Sequence, residues 1–522
     1  MSAPWPDLLR WRLPAAGLAL VAAFAVLAGR FWHPYYGFTK FVQLDEADQK
    51  SAIHEIREHP VFAYRGFNGY DGAAYTQLAF HPLLDSAELK PALDNLPYRA
   101  RRILGSALAW LLAGGQPERI AHTYAALNLG VWLALAALLW RVLPVTDALS
   151  WVAWAGVLFS AGALHSVRLA LTDLLAVTLV TASLWLGERG RGKGALGMLA
   201  AAGLARETAL AGIVALWRGP RHSPRAWLGN FLRTGVVTLP LLAWMIYVRW
   251  RAGAADQGLG NFTWPVVAWL EKWSETAADY VRHPEFRGLI TTTLFATIAL
   301  TVQAAYLLRR PRWSDGWWRA GLAGVVMMAM LGTAVWEGHP GAVTRVLLPM
   351  SVAFAVLVVR ERANWGWVAT GSLTVFSGVL ALWQVPHEPR ELAAGRFSGG
   401  AFVAQIEDGW FGIERQKYAV WSWAANEGTL NLETSPRATA PLRVRLKVNA
   451  ITPREIEVRC GGAVLFRGNV TSQSAWLDLP AVPTVAPGRL RLELRSVAPP
   501  LPESNQPGAR ALGFALHGVE LR

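Results

Sequence analysis

Residues 13–31 read LPAAGLALVAAFAVLAGRF, and a helix of that length and apolarity can cross a lipid bilayer. A crossing helix needs about 20 predominantly apolar residues, because the hydrocarbon core is about 30 Å thick. Comparable runs recur as far as residue 385. We therefore predict nine membrane-spanning helices, at residues 12–31, 119–140, 151–167, 171–187, 228–250, 288–308, 318–336, 343–360 and 365–385.

The composition also indicates a polytopic membrane protein. The chain has 522 residues, of which 53% are hydrophobic and only 16% charged, with a mean hydropathy of +0.26. Soluble proteins have about 25% charged residues. A series of soluble domains is excluded because the apolar residues form uninterrupted runs long enough to cross a bilayer. Much of the net charge of +14 lies between apolar runs, where basic residues set orientation, and it predicts no nucleic-acid partner. The single cysteine, Cys460, excludes an internal disulfide and a cysteine-based metal site.

The basic residues between the apolar runs predict the orientation. Placing them all in the cytoplasm, as the positive-inside rule requires, puts the N-terminus there and keeps the first run as a helix. With this orientation, both ends of residues 194–217 lie on the cytoplasmic side, and Arg206 and Glu207 interrupt the segment, so we predict a re-entrant hairpin. Both ends of residues 103–113 lie on the exterior side, so we predict a short helix that dips into the outer leaflet. This gives about 9–11 membrane segments. The basic groups are Arg10/Arg12, Arg141, Arg189/Arg191/Lys193, Arg218/Arg221/Arg225, Arg309/Arg310/Arg312/Arg319 and Arg360/Arg362.

The exterior side receives loops 32–100 and 251–287 and the whole C-terminal part of the chain. From about residue 400 the sequence alternates apolar and polar residues, as in RLRLEL at 489–494. Such runs between Gly, Pro and Asn turns are typical of antiparallel strands with one buried face. We predict a helical membrane domain at 1–388, followed at 389–522 by an exterior β-sandwich of jelly-roll type with about eight strands.

Charged residues from separate segments are predicted to meet on the exterior side. Ionisable residues at membrane spans are costly and are therefore candidates for function. For some of them a structural role is the alternative: a salt bridge between Arg168 and Asp173, or anchoring of lipid headgroups by the arginines at 99–102. Mixed carboxylates and arginines predict a cavity for an anionic group such as phosphate. The candidates are Asp71, Arg101, Arg102, Arg168, Asp173, Arg206, Glu207, Glu337, His339 and Arg345.

The sharpest local pattern is NGYDGAAYTQLAFHP at residues 68–82. Asp71 lies between Gly69 and Gly72, and we expect these glycines to allow a tight turn that brings the carboxylate into a cleft. The alternative is that Asp71 caps the amphipathic helix that begins near Ala73.

This motif resembles the first-loop aspartate motif of GT-C-type membrane glycosyltransferases, because an aromatic, Tyr75, follows Gly72 by three residues. The similarity is closest to bacterial relatives with a YDGQFY motif, and more distant to the mannosyltransferases of GPI-anchor synthesis. The tail resembles the carbohydrate-binding-like sandwich of surface-polysaccharide enzymes. Two departures are Ala73-Ala74 in place of Gln-Phe, and Gly508 where an Asp often stands. Further matching stretches are YRARRIL at 98–104, ARETA at 205–209, Glu337 followed by RVLLP at 345–349, GWFGIE at 409–414 with Trp421, and RALG at 510–513.

The resemblance implies a polyprenyl-phosphate sugar as donor, a cell-envelope glycan or lipid as acceptor, and inversion at the anomeric carbon. Asp71 is then the general base, and the donor phosphate is bound by Arg206 with Arg345 or with Arg101 and Arg102. The remaining candidates, Tyr70, Tyr75, Arg168, Asp173, Glu207, Glu337 and His339, bind or orient substrate. A divalent metal is left open, since Asp71 with Glu337 or His339 offers hard ligands.

Several other functions are compatible with parts of this pattern. A lipid-linked glycan ligase or polymerase uses related chemistry, and a polysaccharide transporter or flippase also has charges within its membrane domain. No pair of inverted repeats supports the transporter. A membrane anchor that only displays the sandwich does not require nine spans. We therefore expect a glycosyltransferase of a bacterial cytoplasmic membrane, with its site and its C-terminal domain on the periplasmic side.

Overall fold

The computed structural model describes residues 5–66, 69–217, 224–254, 259–386, 388–416, 419–435, 442–481, 488–504, 506 and 508–522. Arg218 and Arg221 of the predicted cytoplasmic groups, and Asn68 of the first-loop motif, lie outside these residues. The chain divides into two compact units. The first comprises residues 1–31, 38–57 and 62–385, and the second comprises residues 32–37, 58–61 and 386–522.

The first unit is almost entirely helical. Within the described residues, six of its helical segments are long and apolar enough to cross a membrane, which confirms the predicted class of polytopic helical membrane protein. The third and sixth of these are each two consecutive helices, Ala148–Leu158 with Ala161–Arg168 and Trp365–Gly371 with Val375–Trp383. The six segments are Arg12–Gly29, Pro117–Val142, Ala148–Arg168, Pro224–Ala252, Pro284–Leu308 and Trp365–Trp383.

The other three predicted spans are shorter helices. They are Asp173–Glu188 with 16 residues, Gly316–Met330 with 15 and Leu348–Arg360 with 13. At 1.5 Å per residue a 13-residue helix is about 20 Å long, less than a hydrocarbon core of about 30 Å. Asp173 stands at the first residue of one such helix, and Arg345 lies in the short helix Val343–Val346 before another. Two of these short helices therefore have a charged residue, Asp173 or Arg345, at or just before their N-terminal end.

Residues 194–217 form two short helical segments that meet at Arg206. Gly192–Ala205 is an α-helix and Glu207–Leu216 is a 3₁₀-helix. Arg206 itself is extended, with φ −157° and ψ 123°, so the backbone breaks at the residue where the sequence places two charges. The short helix Leu104–Leu112 covers the predicted segment 103–113.

The loops between the long helices are themselves structured. Strands β1 (Leu44–Asp45) and β2 (Ala63–Tyr64) pair in parallel within the first loop. The other elements of this loop are Thr39–Phe41, Glu46–Ser51, His54–Glu58, Asp71–Phe80, Leu89–Ala92, Leu96–Arg99 and Ala100–Arg102. Later short helices are Leu259–Asn261, Val267–Arg282, Pro284–Phe286 and Thr333–Trp336.

The second unit is a β-sandwich of two antiparallel sheets. One sheet has the strand order β10-β9-β12-β7-β4-β3 and the other β11-β8-β15-β6-β5, and β13 pairs with β14. These strands are β3 (Glu391–Phe397), β4 (Gly400–Ile406), β5 (Trp410–Gln416), β6 (Ala419–Ala424), β7 (Glu427–Thr434), β8 (Val444–Ala450), β9 (Arg454–Cys460), β10 (Ala463–Val470), β11 (Ala475–Asp478), β12 (Arg489–Ser496), β13 (Leu501–Pro502), β14 (Ala511–Leu512) and β15 (Phe514–Leu521).

Alternation along the strands builds the core of the sandwich. In β12, Leu490, Leu492 and Leu494 are buried while the charged residues between them, Arg491 and Glu493, are exposed. The leucines pack in one core with inward residues of the other sheet, such as Val444, Leu446 and Phe514. The two sheets hold eleven strands among the described residues, against about eight predicted, and β3, β4 and β5 do not follow strict alternation.

Candidate active site

Asp71 is the first residue of helix Asp71–Phe80 and lies beside two glycines that other segments approach closely. A Cβ on Gly72 would clash with the carbonyl oxygen of Leu169 and stand 2.8 Å from that of Val42. A Cβ on Gly69 would clash with the carboxylate of Asp48. Neither glycine has a left-handed φ, so the expected tight turn is not the reason for them. Gly72 is needed because two backbone carbonyls approach it, whereas the atom closest to Gly69 is the movable end of the Asp48 side chain.

The carboxylate of Asp71 is paired with an arginine that the sequence analysis did not place in the site. Oδ1 of Asp71 lies 2.5 Å from Nη1 of Arg99. The N-cap position of the helix belongs to Tyr70, so Asp71 is not its cap. The same guanidinium donates Nε and Nη2 to Asp94 at 3.1 and 2.8 Å. Hydrogen bonding from Arg99 lowers the pKa of Asp94.

A second ion pair joins the first loop to the broken helix. Arg102 donates Nε and Nη2 to the carboxylate of Glu207 at 2.9 and 3.0 Å. Its Nη1 donates to the hydroxyl of Tyr75 at 3.0 Å, and Nη2 also contacts the hydroxyl of Tyr98 at 3.3 Å. The Arg102 side chain is only 8% exposed. Its charge is thus neutralised by Glu207, and Arg102 fixes the Tyr75 hydroxyl.

A third cluster gathers two arginines around one buried carboxylate. Asp173, whose side chain is 2% exposed, pairs with Nη1 of Arg206, and its Oδ2 lies 3.8 Å from Nη1 of Arg345. Arg345 also donates Nη2 to the hydroxyl of Tyr70 at 2.7 Å and lies over its ring. Nε of Arg206 is buried and has no hydrogen-bond partner among the described residues. One carboxylate serves two guanidiniums, which leaves a net positive charge.

Contacts link the three groups. Arg99 and Arg102 both lie over the Tyr98 ring, and Arg102 pairs with Glu207, which follows Arg206 in the chain. Burial raises the pKa of the Tyr75 phenol, and the guanidiniums of Arg102, Arg99 and Arg206 lower it while Asp71 raises it. The structure brings together Asp71, Tyr75, Arg102, Glu207, Arg206 and, through Asp173, Arg345 and Tyr70.

The proposed salt bridge between Arg168 and Asp173 is not formed, because Asp173 pairs with arginines from distant segments. Arg168 instead donates Nη1 to the carbonyl of Lys40 at 3.3 Å and lies over the rings of Phe31 and Tyr64. Arg101 lies over the Tyr98 ring, 5.5 Å from its centroid. The contacts described for Arg101 do not include Asp71 or Asp173.

Glu337 and His339 belong to a separate group. Both are exposed. His339 Nδ1 lies 2.9 Å from the hydroxyl of Thr293, and Lys272, near both residues, donates to the carbonyl of Gly338. Burial and the Lys272 ammonium lower the pKa of His339. The structure does not pair either residue with Asp71, and among the described residues no three His, Cys, Asp or Glu side chains are placed to hold a metal ion.

An apolar groove leads toward the arginine cluster. A small cavity of about 40 Å³ is lined by Asp173, Arg206 and Arg345 on its polar side. It shares the walls Ala211, Ala323 and Met327 with a much larger cavity of about 1290 Å³. We call the larger cavity the apolar groove. Its lining is mainly Leu, Ala, Val, Met and Trp, and it extends to Trp217, Trp313 and Arg319.

No protein-family model and no curated protein matches this chain. Among solved structures the chain is similar to the cryo-EM structure of arabinosyltransferase EmbB from Mycobacterium smegmatis, with 12% identity and a TM-score of 0.22. The match covers 87% of this chain and 64% of that one. Because this TM-score is low, the proposals below rest on the chain's own residues.

Proposed function

We propose that this protein is an integral membrane glycosyltransferase that transfers a sugar from a polyprenyl-phosphate donor to a cell-envelope glycan or lipid. The observation that carries the proposal is that the apolar groove and the cavity of Arg206 and Arg345 are neighbours, with Ala211, Ala323 and Met327 lining both. A polyprenyl phosphate has a long apolar chain and an anionic head, and the groove and the arginines offer a place for each. The resemblance of the first-loop motif to GT-C enzymes supports the same assignment.

The charge balance around Asp173 supports phosphate as the anion. Arg206 and Arg345 share one buried carboxylate, and the Nε of Arg206 has no partner among the described residues. An arginine fork binds phosphate through paired, charge-assisted hydrogen bonds. A phosphate at this position would satisfy the unpaired donor and offset the residual positive charge.

In the proposed reaction the acceptor hydroxyl oxygen forms a bond to the anomeric carbon, and the bond from that carbon to the phosphate oxygen breaks. The proton of the hydroxyl goes to the carboxylate of Asp71 as the new bond forms. The polyprenyl phosphate leaves with the bonding electrons, and Arg206 and Arg345 stabilise the charge that develops on its oxygen. Attack from the side opposite the phosphate inverts the anomeric centre.

The remaining candidates have supporting roles. Arg102 is neutralised by Glu207, so we assign this pair to holding the Tyr75 hydroxyl and the broken helix in place. Tyr70 positions Arg345 through its hydroxyl. Arg168 contacts Lys40 and Tyr64 of the first loop, and Arg101 lies over Tyr98 at its end, so we assign both arginines to the packing of this loop. By the charge pattern, we place this site and the β-sandwich on the periplasmic side of a bacterial cytoplasmic membrane.

The test is sugar transfer in membranes that contain wild type, Asp71→Asn or Asp85→Asn, with radiolabelled polyprenyl-phosphate sugars as donors. Loss of a general base lowers the rate about 10²- to 10⁴-fold, so Asp71→Asn should lose nearly all transfer. Asp85 is another first-loop aspartate with an exposed side chain, and its variant should keep wild-type activity. Equal transfer by Asp71→Asn and wild type would contradict the role of Asp71.

The same assay separates the neighbouring functions. Transfer that requires a lipid-linked oligosaccharide, with none from monosaccharide donors, would indicate a ligase or polymerase. Movement of a labelled lipid-linked glycan across proteoliposomes without any new glycosidic bond would indicate a transporter or flippase.

A further inference from the structure

One end of the apolar groove is polar. The helix Pro224–Ala252 contributes Ala226, Asn230 and Arg233 to the lining, and these residues share one face of the helix because they are three or four positions apart. Arg233 donates Nη1 to Oδ1 of Asn230 at 2.9 Å. A guanidinium therefore stands in the wall of a cavity that is otherwise lined mainly by apolar side chains.

Arg233 lies inside a segment that can span a membrane. The span predicted from the sequence begins at residue 228, so Arg233 is about 7–8 Å inside it along the helix axis. A charged side chain within a span is costly, and it normally faces a cavity or the protein interior and has a partner there. Arg233 lines the cavity, but Asn230 is a neutral amide and supplies no counter-charge.

The acidic residues described around the groove do not neutralise Arg233. Glu188 is the one acidic residue among the described residues of the lining, and both of its oxygens accept from Arg360, at 2.7 and 2.9 Å. The sequence that precedes the helix, RGPRHS at 218–223, contains no Asp or Glu. The charge of Arg233 is therefore available to an anion in the groove.

The residues around Arg233 form a polar end that is held together by Trp217. The indole Nε1 of Trp217 lies 3.4 Å from the hydroxyl of Thr234, next to Arg233 in the chain, and its carbonyl accepts from Arg319 at 3.2 Å. Arg319 also lines the groove, as does Trp317, whose buried Nε1 has no hydrogen-bond partner among the described residues. This end thus favours an occupant with oxygen acceptors.

The polar end is separate from the cavity of Arg206 and Arg345. In helix Gly316–Met330, the walls shared with that cavity are Ala323 and Met327, about 6 and 12 Å along the helix from Arg319. A polyprenyl chain that enters beside Ala323 is a hydrocarbon, and it offers no acceptor to Arg233. The polar end therefore suits a different occupant from the donor chain.

We propose that this end of the groove binds the phosphate of an anionic phospholipid, with Arg233 as its counter-charge and the apolar lining around its acyl chains. Phosphate oxygens accept charge-assisted hydrogen bonds from a guanidinium, and an ester oxygen can accept from Trp317. The groove, at about 1290 Å³, is larger than a ligand pocket of about 300–1,000 Å³, so it has room for such a lipid beside a donor chain. By the charge pattern, the phospholipid comes from the cytoplasmic leaflet.

The experiment measures lipid binding to the delipidated full-length chain in detergent micelles by native mass spectrometry. The ligands are phosphatidylglycerol, phosphatidylcholine with the same acyl chains, and glycerol 3-phosphate, which has the anionic head without the chains. The variant is Arg233→Gln. Its matched control is Arg225→Gln, which removes an exposed arginine from the same helix outside the groove lining. Thermal denaturation checks folding, and Arg233→Met replaces Arg233→Gln if that variant does not fold.

Wild type should bind its first phosphatidylglycerol at least about fivefold more tightly than phosphatidylcholine, which is the preference of about one basic residue for an anionic headgroup. Arg233→Gln should lose this preference and keep the wild-type affinity for phosphatidylcholine. Arg225→Gln should keep the preference. Glycerol 3-phosphate should bind at least about tenfold more weakly than phosphatidylglycerol, because it leaves the apolar lining unfilled.

Any of four results would overturn the inference. Equal binding of the two lipids by wild type would mean that Arg233 snorkels to the interface. A preference that survives in Arg233→Gln, or one that Arg225→Gln loses equally, would mean general attraction to a basic surface. Glycerol 3-phosphate bound as tightly as phosphatidylglycerol would mean a site for free anions. None of these measurements involves the sugar donor, so the proposed function is tested separately by the transfer assay.

Discussion

Arg102 and Glu207 form a two-point ion pair between segments that are 105 residues apart. The pair ties the first loop to the start of the 3₁₀-helix Glu207–Leu216, next to the extended Arg206. It is one of the contacts that hold the broken helix in a fixed relation to the loop that contains Asp71. The stability of the site therefore depends on a contact between residues that we do not assign to the chemistry itself.

Glu207→Gln should destabilise the protein, because it leaves the Arg102 guanidinium buried without its counter-charge. Removing one partner of a buried pair costs about 3–5 kcal/mol, and the partial exposure of Glu207 favours the lower limit. The measurement is the midpoint of thermal denaturation in nanodiscs. Glu188→Gln is the matched control, since it breaks the exposed pair with Arg360, which is worth less than about 1 kcal/mol. Equal midpoints for the two variants would contradict this prediction.

Gly72→Ala should disturb the site without changing any charge. The added methyl would meet the backbone carbonyls of Leu169 and Val42, which cannot move as freely as side chains. Overpacking of this kind costs about 1–3 kcal/mol, and transfer should fall because Asp71 is displaced. Gly130 is a helical glycine with open space around its Cα, so Gly130→Ala should leave both denaturation and transfer close to wild type.

Tyr70→Phe should weaken donor use while the fold is kept. It removes the hydroxyl that accepts from Nη2 of Arg345 but keeps the ring below the guanidinium. A hydrogen bond to a charged group is worth about 1.5–3 kcal/mol, so the donor KM should rise about tenfold or more. Tyr280 has similar exposure and lies outside the site, and Tyr280→Phe should have the wild-type KM. An unchanged KM in Tyr70→Phe would mean that Arg345 is positioned without it.

The lowered pKa of His339 predicts that the folded protein becomes less stable on mild acidification. Burial and Lys272 lower its pKa, although Asp279 opposes them, so the folded protein binds a proton less readily than the unfolded chain. Stability is then full above the ordinary histidine pKa of about 6.5 and decreases as the pH falls below it. The thermal midpoint measured between pH 7.5 and 5.5 should drop less in His339→Gln than in wild type. Parallel pH curves for the two proteins would contradict the prediction.

Much of the fold could be predicted because it depends on local composition. Apolar runs marked the long helices, and the charges at Arg206 and Glu207 marked the place where a helix breaks. The alternation of β12 likewise identified a strand. The count of strands was too low because residues 400–416 form strands without regular alternation, since their burial depends on the sheet as a whole.

The pairing of charges could not be predicted in the same way. Arg168 and Asp173 are neighbours in sequence, yet Asp173 pairs with Arg206 and Arg345, which the fold brings from other helices. The pair of Arg99 with Asp71 was missed because it spans 28 residues of irregular loop and follows no helical spacing. Such contacts follow no periodic pattern in the sequence, so they can be identified only from the three-dimensional structure.

Leu348–Arg360 is buried within the protein, but the short helix Gly316–Met330 lines the apolar groove and has a consequence for the surrounding lipid. A helix of about 22 Å is mismatched to a bilayer of ordinary thickness, and a mismatch is relieved by local thinning. The membrane beside the groove should therefore form a depression in which headgroups come closer to the midplane. The phosphate of a lipid-linked donor would then lie closer to Arg206 and Arg345. Turnover should accordingly depend on acyl-chain length, with long-chain lipids slowing the protein by opposing that thinning.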